Sequence, residues 1–211
     1  MMEGADDHPP ATGSAIMTDD TSTDSRPSIV FLGDSITAHG HWADWFPDRR
    51  AHNLGVSGNT TDDVIARVDE VLALRPQEIA LLAGTNDLGH RKSVEHLVRN
   101  IEYLLVTLRR DLPGTRMLVQ SIMPRGREFA EQVQDANRHL RQFSPSVNAQ
   151  YLDLWPALAL QDGEIDPRFS DDRLHLTEAG YEAWLGELRP ALERLDDAPP
   201  MSRPITVVRE G

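Results

Sequence analysis

Short apolar runs alternate with longer stretches of helical periodicity along this chain. Residues 29–32 form a continuous apolar run between Pro27 and Gly33, the pattern of a strand buried on both faces. Val64, Ile65, Val68, Val71 and Leu72 recur at helical spacing. They predict a helix over 60–75, capped by Thr60 or Thr61 and ended by Pro76. Residues 78–83 predict the next strand, closed by Gly84. Leu97, Ile101, Leu104, Leu105 and Leu108 mark an amphipathic helix that stops before Pro113-Gly114. A strand over 117–122, a more polar helix over 128–143 and a strand over 151–154 follow. Residues 177–195 predict a closing helix with Thr177 as N-cap and Tyr181, Trp184, Leu185 and Leu188 on one face. A weaker strand signal over 51–54 brings the expected sheet to about five strands.

Apolar strands alternating with helices imply an α/β protein whose parallel sheet is covered on both faces. Such sheets take ligands beyond the carboxyl ends of their strands. Ser35 follows the first strand signal, Gly58 the second and Asn86 the third, so these positions should share one edge of the sheet.

Composition narrows the picture. The chain has 211 residues, a net charge of −13 and no cysteine. One domain over 28–196 is expected. The negative charge argues against nucleic acid as a partner. Disulfides, thiol catalysis and Cys-zinc sites are excluded. No apolar stretch is long enough for stable membrane insertion, and the N-terminus lacks a basic segment followed by an apolar one; a cytoplasmic location is expected. Residues 1–27 read as a disordered acidic tail, with Met17 as an alternative start. Residues 197–211, carrying Pro199, Pro200 and Pro204, read as a second tail; a strand over 205–208 is not favoured. A homodimer is left open.

The candidate chemistry lies in four loops. Gly33-Asp34-Ser35 ends the first strand, and Asp172-Arg173-Leu174-His175 sits before the closing helix. A serine hydroxyl needs a base within reach; His175 is the candidate base, and Asp172 would hold its tautomer. The Gly58 N–H, the Asn86 side chain and the Ser35 N–H would meet a developing oxyanion. Turn chemistry alone would also explain Gly58 and Asn86. Asp34 reads as structural, orienting the loop under Ser35, Asp87 as a partner for loop backbone and Gly55 as a close-packing position. The segment Gly33-Asp34-Ser35-Ile36-Thr37 lacks the Gly-x-Ser-x-Gly elbow of the larger α/β-hydrolases.

Other residues admit two readings. Trp42 and Trp45 could line a substrate pocket or pack a helix into the core. Arg125 and Arg127 could receive a phosphate or carboxylate of the substrate, or belong to a solvated loop. His39, His41 and His52 suggest a metal only weakly, and a surface loop is preferred.

Taken together, these blocks resemble the SGNH hydrolases, the GDSL esterase/lipase family. Gly33-Asp34-Ser35 matches its first block, residues 53–60 its second, Gly84-Thr85-Asn86-Asp87 its third and residues 172–175 its fifth. The four marker residues fall on Ser35, Gly58, Asn86 and His175, and Asp172 matches the orienting acid. Arg75-Pro76, Met123-Pro124-Arg125-Gly126, Asp162-Gly163 and Leu174-His175-Leu176 are similar to the platelet-activating-factor acetylhydrolase catalytic-subunit branch. The resemblance implies a flavodoxin-like three-layer α/β/α sandwich with no metal and no cofactor. It implies hydrolysis of a small ester substrate, acetyl-type above all, through an acyl-enzyme. A lysophospholipase or thioesterase of the same family, or an idle interaction module on the fold, are the alternatives.

Overall fold

A computed structural model describes residues 24–197. Most of both expected tails, including the region 205–208, lies outside the described residues. Five parallel strands form one sheet in the order β2-β1-β3-β4-β5. They are β1 (Ser28–Gly33), β2 (Arg50–Gly55), β3 (Glu78–Leu82), β4 (Arg116–Gln120) and β5 (Ala149–Leu152). The three-layer α/β architecture expected from the apolar pattern is therefore present.

The strands alternate their side chains between two cores. Val30, Leu32, Ile79, Leu81, Met117 and Val119 face one layer. That layer contains α3 (Thr61–Ala66), α4 (Val68–Leu74), α6 (Val94–Asp111) and α7 (Ala130–Phe143). Ile29, Phe31, Ala80, Leu82 and Leu118 face the other layer. There α1 (Ser35–Ala38), α2 (Trp42–Trp45), α8 (Trp155–Leu158) and α9 (Glu178–Asp196) pack. A short α5 (Thr85–Gly89) follows β3 directly.

The single helix expected over 60–75 is two helices that meet at Arg67. Its first turn is set as the sequence suggested: the Thr60 N–H and hydroxyl both donate to Asp63, at 2.9 and 2.7 Å. The Arg67 guanidinium donates to the Leu54 carbonyl at 2.8 Å, which fixes the break against the end of β2. Helix α9 runs through Pro190. The carbonyl that proline leaves without a helical partner belongs to exposed Gly186, where water can satisfy it. At the opposite end from the site, Arg49 joins Glu78 of β3 (3.0 Å) to Asp196 of α9 (2.5 Å).

Strand order positions the site. β1 lies between β2 and β3, with Gly33 in register with Gly55 on one side and Leu82 on the other. The loop after β1 is therefore flanked by those after β2 and β3, at the point where the chain direction across the sheet reverses.

Candidate active site

Ser35 is the first residue of α1, immediately beyond β1. Asp34 caps this helix by accepting from the Ile36 N–H at 3.0 Å. Gly55 lets the backbones touch, because a Cβ there would lie 2.2 Å from the Ala38 nitrogen. The Ser35 loop is thus packed tightly against the end of β2, as the sequence suggested for Gly55.

The Ser35 hydroxyl lies 3.0 Å from His175 Nε2, and His175 Nδ1 lies 2.7 Å from Asp172 Oδ2. The 172–175 loop brings its two side chains together by turning through a left-handed residue, Arg173 (φ 65°), whose side chain pairs with Glu164 at 3.0 Å. The second Asp172 oxygen accepts the N–H groups of His175 (2.7 Å) and Leu174 (2.9 Å). Burial opposes the Asp172 charge. The bonds from the His175 ring and from the two N–H groups outweigh it and hold the carboxyl at about 2. This depressed pKa keeps the carboxylate ionised through the ordinary Asp range, down to about 2. Its stabilising contribution is lost as pH falls towards 2.

Asp34 is shifted the other way. Burial pushes its carboxyl up to about 6, against the bond from Ile36. Between the ordinary Asp value and about 6 the folded chain holds more protons than the unfolded chain, so stability falls as pH rises through that window. Asp34→Asn keeps an oxygen for the Ile36 N–H and removes the buried charge. It should gain up to about 3 kcal/mol relative to the unsubstituted protein between pH 4 and pH 7. Denaturant titrations at both pH values check this, and a difference independent of pH would contradict it.

Two further candidates lie in the loops after β2 and β3, which flank the Ser35 loop. Gly58 has φ 80°, a left-handed conformation suited to glycine, and nothing lies within 4 Å of where its side chain would be. Asn86, in α5, donates one Nδ2 hydrogen to the Asn59 carbonyl at 2.9 Å. That bond ties the Asn86 turn to the Gly58 loop and leaves the second hydrogen available. The Ser35 N–H starts a helix and has no partner within it.

The supporting residues explain why these loops hold still. Asp87 is fully buried and accepts from the Thr61 N–H (2.8 Å) and hydroxyl (2.7 Å), so it serves loop backbone as expected. Lys92 was not singled out by sequence. Its ammonium lies 3.8 Å from Asp87, 2.5 Å from Asp62 and 3.1 Å from the Thr60 hydroxyl. Asp62, Asp87 and His96 bring donor atoms within 4.8 Å of one another, but the Lys92 ammonium already sits at that cluster. Nothing in the sequence linked Lys92 to residues some thirty positions earlier.

The substrate-contact reading of Trp42 is corrected. Its ring is 2% exposed, stacked on Phe31 at 4.0 Å, and its N–H donates to the Thr37 carbonyl at 2.8 Å. Trp42 therefore supports the Ser35 helix from below. Trp45 is the tryptophan that lines a surface groove. Arg125 anchors on the Thr85 carbonyl at 2.9 Å and lies over the Phe129 ring, which places it beside the Asn86 turn. Arg127 pairs with Asp162 and Glu164 at the surface. His39 and His41 line the groove with Trp45, whereas His52 lies within β2, so the three histidines do not converge.

A parallel sheet carrying a linked serine, histidine and aspartate beyond its strand ends defines a hydrolase-type α/β protein. The chain belongs to the GDSL-like Lipase/Acylhydrolase family, which it matches over residues 31–183. It is 30% identical to platelet-activating factor acetylhydrolase IB subunit alpha1 of Pongo abelii over 184 residues, 82% of this chain and 79% of that protein. A Streptococcus pneumonia structure named for platelet activating factor is 26% identical, with a TM-score of 0.70 over 82% of this chain and 86% of that one. A mutant of Axe2, an acetyl-xylooligosaccharide esterase from Geobacillus Stearmophilus, is 19% identical; its likeness is one of fold, with a TM-score of 0.65 over 84% of this chain and 97% of that one. No helix among the described residues is long and apolar enough to cross a membrane.

Proposed function

We propose that the protein is a serine esterase that cleaves short-chain carboxylic esters, acetyl esters above all, through an acyl-enzyme. The observation that carries this reading is the unbroken chain of contacts from the Ser35 hydroxyl to His175 Nε2 (3.0 Å) and from His175 Nδ1 to Asp172 (2.7 Å). In this mechanism Ser35 Oγ attacks the ester carbonyl and His175 takes its proton. The N–H groups of Ser35 and Gly58 and the free Asn86 Nδ2 hydrogen receive the oxyanion. His175 then gives its proton to the leaving alkoxide, and a water repeats the cycle on the acyl-serine. Arg125 acts as a positioning residue, because its bond to Thr85 fixes the turn that presents Asn86.

The acyl preference follows from the loops. The segments bearing Ser35, Gly58 and Asn86 are short, and each leads within a few residues into a helix. None is long enough to fold over the site. A long acyl chain gains about 0.8 kcal/mol per methylene only where a wall buries it. A panel of p-nitrophenyl esters should therefore show acetyl and butyryl esters cleaved faster than palmitoyl, without activation at a lipid interface. Rates rising steadily to twelve carbons or more would contradict the short-chain assignment.

Asn86→Ala should lower kcat about 100- to 1000-fold with little change in KM, since the amide acts where charge develops. Steady-state kinetics on p-nitrophenyl acetate separate the two parameters. An unchanged kcat would reduce Asn86 to a turn residue.

A further inference from the structure

A groove of about 420 Å³ opens beside the candidate site, between α2 and the first turns of α9. Its size is that of a small-molecule site. One end reaches the site itself: the His39 ring centre is 6.0 Å from that of His175, and Leu176 lines the wall next to it. Trp45 and Tyr181 contribute aromatic surface, with ring centres 5.4 Å apart. Both rings are fixed. The Tyr181 hydroxyl donates to the Ile36 carbonyl at 2.7 Å, and the His41 ring meets Trp45 edge-on at 5.5 Å. Glu178 and Glu182, one helical turn apart on α9, add carboxylates to the rim.

The side of the site decides what this groove can hold. His175 must pass its proton to the leaving oxygen, so the alcohol half of the ester lies on the His175 side. The oxyanion donors Gly58 and Asn86 come from the other loops, after β2 and β3. We propose that the groove is the leaving-group subsite and takes a neutral polyhydroxy alcohol of the saccharide class. This rests on the esterase reading above.

Three features select that chemistry. Aromatic faces bury the C–H surface of a sugar ring. Carboxylates accept from hydroxyls, and the imidazoles of His39 and His41 can donate to or accept from them. A mixed wall of donors and acceptors matches hydroxyl groups, which do both; a quaternary ammonium would leave the donors idle. Glu178 and Glu182 also oppose a phosphate-bearing alcohol, because like charges brought together at a binding site reduce affinity.

The test compares kcat/KM for three acetyl esters: a methyl 6-O-acetylglucoside, acetylglycerol phosphate and acetylcholine. The glucoside ester should exceed the phosphate ester at least about tenfold, as expected for hydrogen bonds to charged groups at 1.4 kcal/mol per tenfold. It should also exceed acetylcholine. Glu178→Gln/Glu182→Gln should reduce the glucoside-to-phosphate ratio about tenfold, and Trp45→Ala should raise KM for the glucoside ester more than it lowers kcat. A ratio at or below one, a ratio unmoved by the glutamine pair, or a preference for acetylcholine would overturn the proposal. Should these results fail while p-nitrophenyl acetate is still cleaved, the leaving-group inference alone falls. If p-nitrophenyl acetate is not cleaved either, the esterase reading falls with it.

Discussion

Replacing Ser35 by alanine should lower kcat for p-nitrophenyl acetate by about 10⁶-fold, the scale seen when a nucleophile is removed from a serine hydrolase unit. His175→Ala should cost nearly as much, and the double variant should be little worse than either single one, because the two side chains act together at 3.0 Å. The fold should survive. Ser35 accepts no backbone bond through its hydroxyl, and the cap of α1 comes from Asp34. Thermal melting of each variant checks this separately from activity. More than a hundredth of the original rate in Ser35→Ala would contradict the assignment.

Asp172→Asn should cost about 10⁴-fold, less than the loss of Ser35 but more than that of Asn86. The reason is the orientation of the carboxyl group. One Asp172 oxygen accepts the N–H groups of His175 and Leu174 and the Ser170 hydroxyl. An asparagine must keep its only oxygen there, so its NH₂ faces His175 Nδ1. That imposes the tautomer with the proton on Nε2, and such a ring cannot accept the Ser35 proton. Asp172→Ala frees the ring to rotate and adopt either tautomer. Kinetics on both variants check the argument; Asp172→Asn more active than Asp172→Ala by tenfold or more would contradict it.

The long elements were legible because burial on a regular period leaves a regular pattern. Residues 29–32, 78–83 and 117–122 read as strands because both faces of this sheet are covered, which makes their runs continuously apolar. Helix α6 read clearly because Leu97, Ile101, Leu104, Leu105 and Leu108 all face one core. The break at Arg67 was not legible, since Val64, Val68 and Val71 keep a single helical phase across it. At the break Arg67 bonds to Leu54, a contact outside the helix that the local pattern does not encode. Helices α1, α2, α5 and α8 have four or five residues each, too few to carry a period.

The positions brought together at the site could be found from loop chemistry and from their places after successive strands. The local sequence could not decide between the two readings of Trp42 and Trp45, since both follow the Ser35 loop closely. The choice depends on Phe31, whose ring stacks under Trp42 and draws it into the core. Lys92 and the groove escaped notice for a related reason. Each depends on residues far apart in sequence: Lys92 on Asp62, and the groove on α2 meeting α9.

The most direct measurement of the central claim is covalent labelling with a fluorophosphonate, followed by intact mass and peptide mapping. One equivalent should attach, on the peptide bearing Ser35. Labelling should vanish in Ser35→Ala and slow sharply in His175→Ala, since the hydroxyl reacts only with a base beside it. A label on another serine, or none under conditions where p-nitrophenyl acetate is cleaved, would contradict the account.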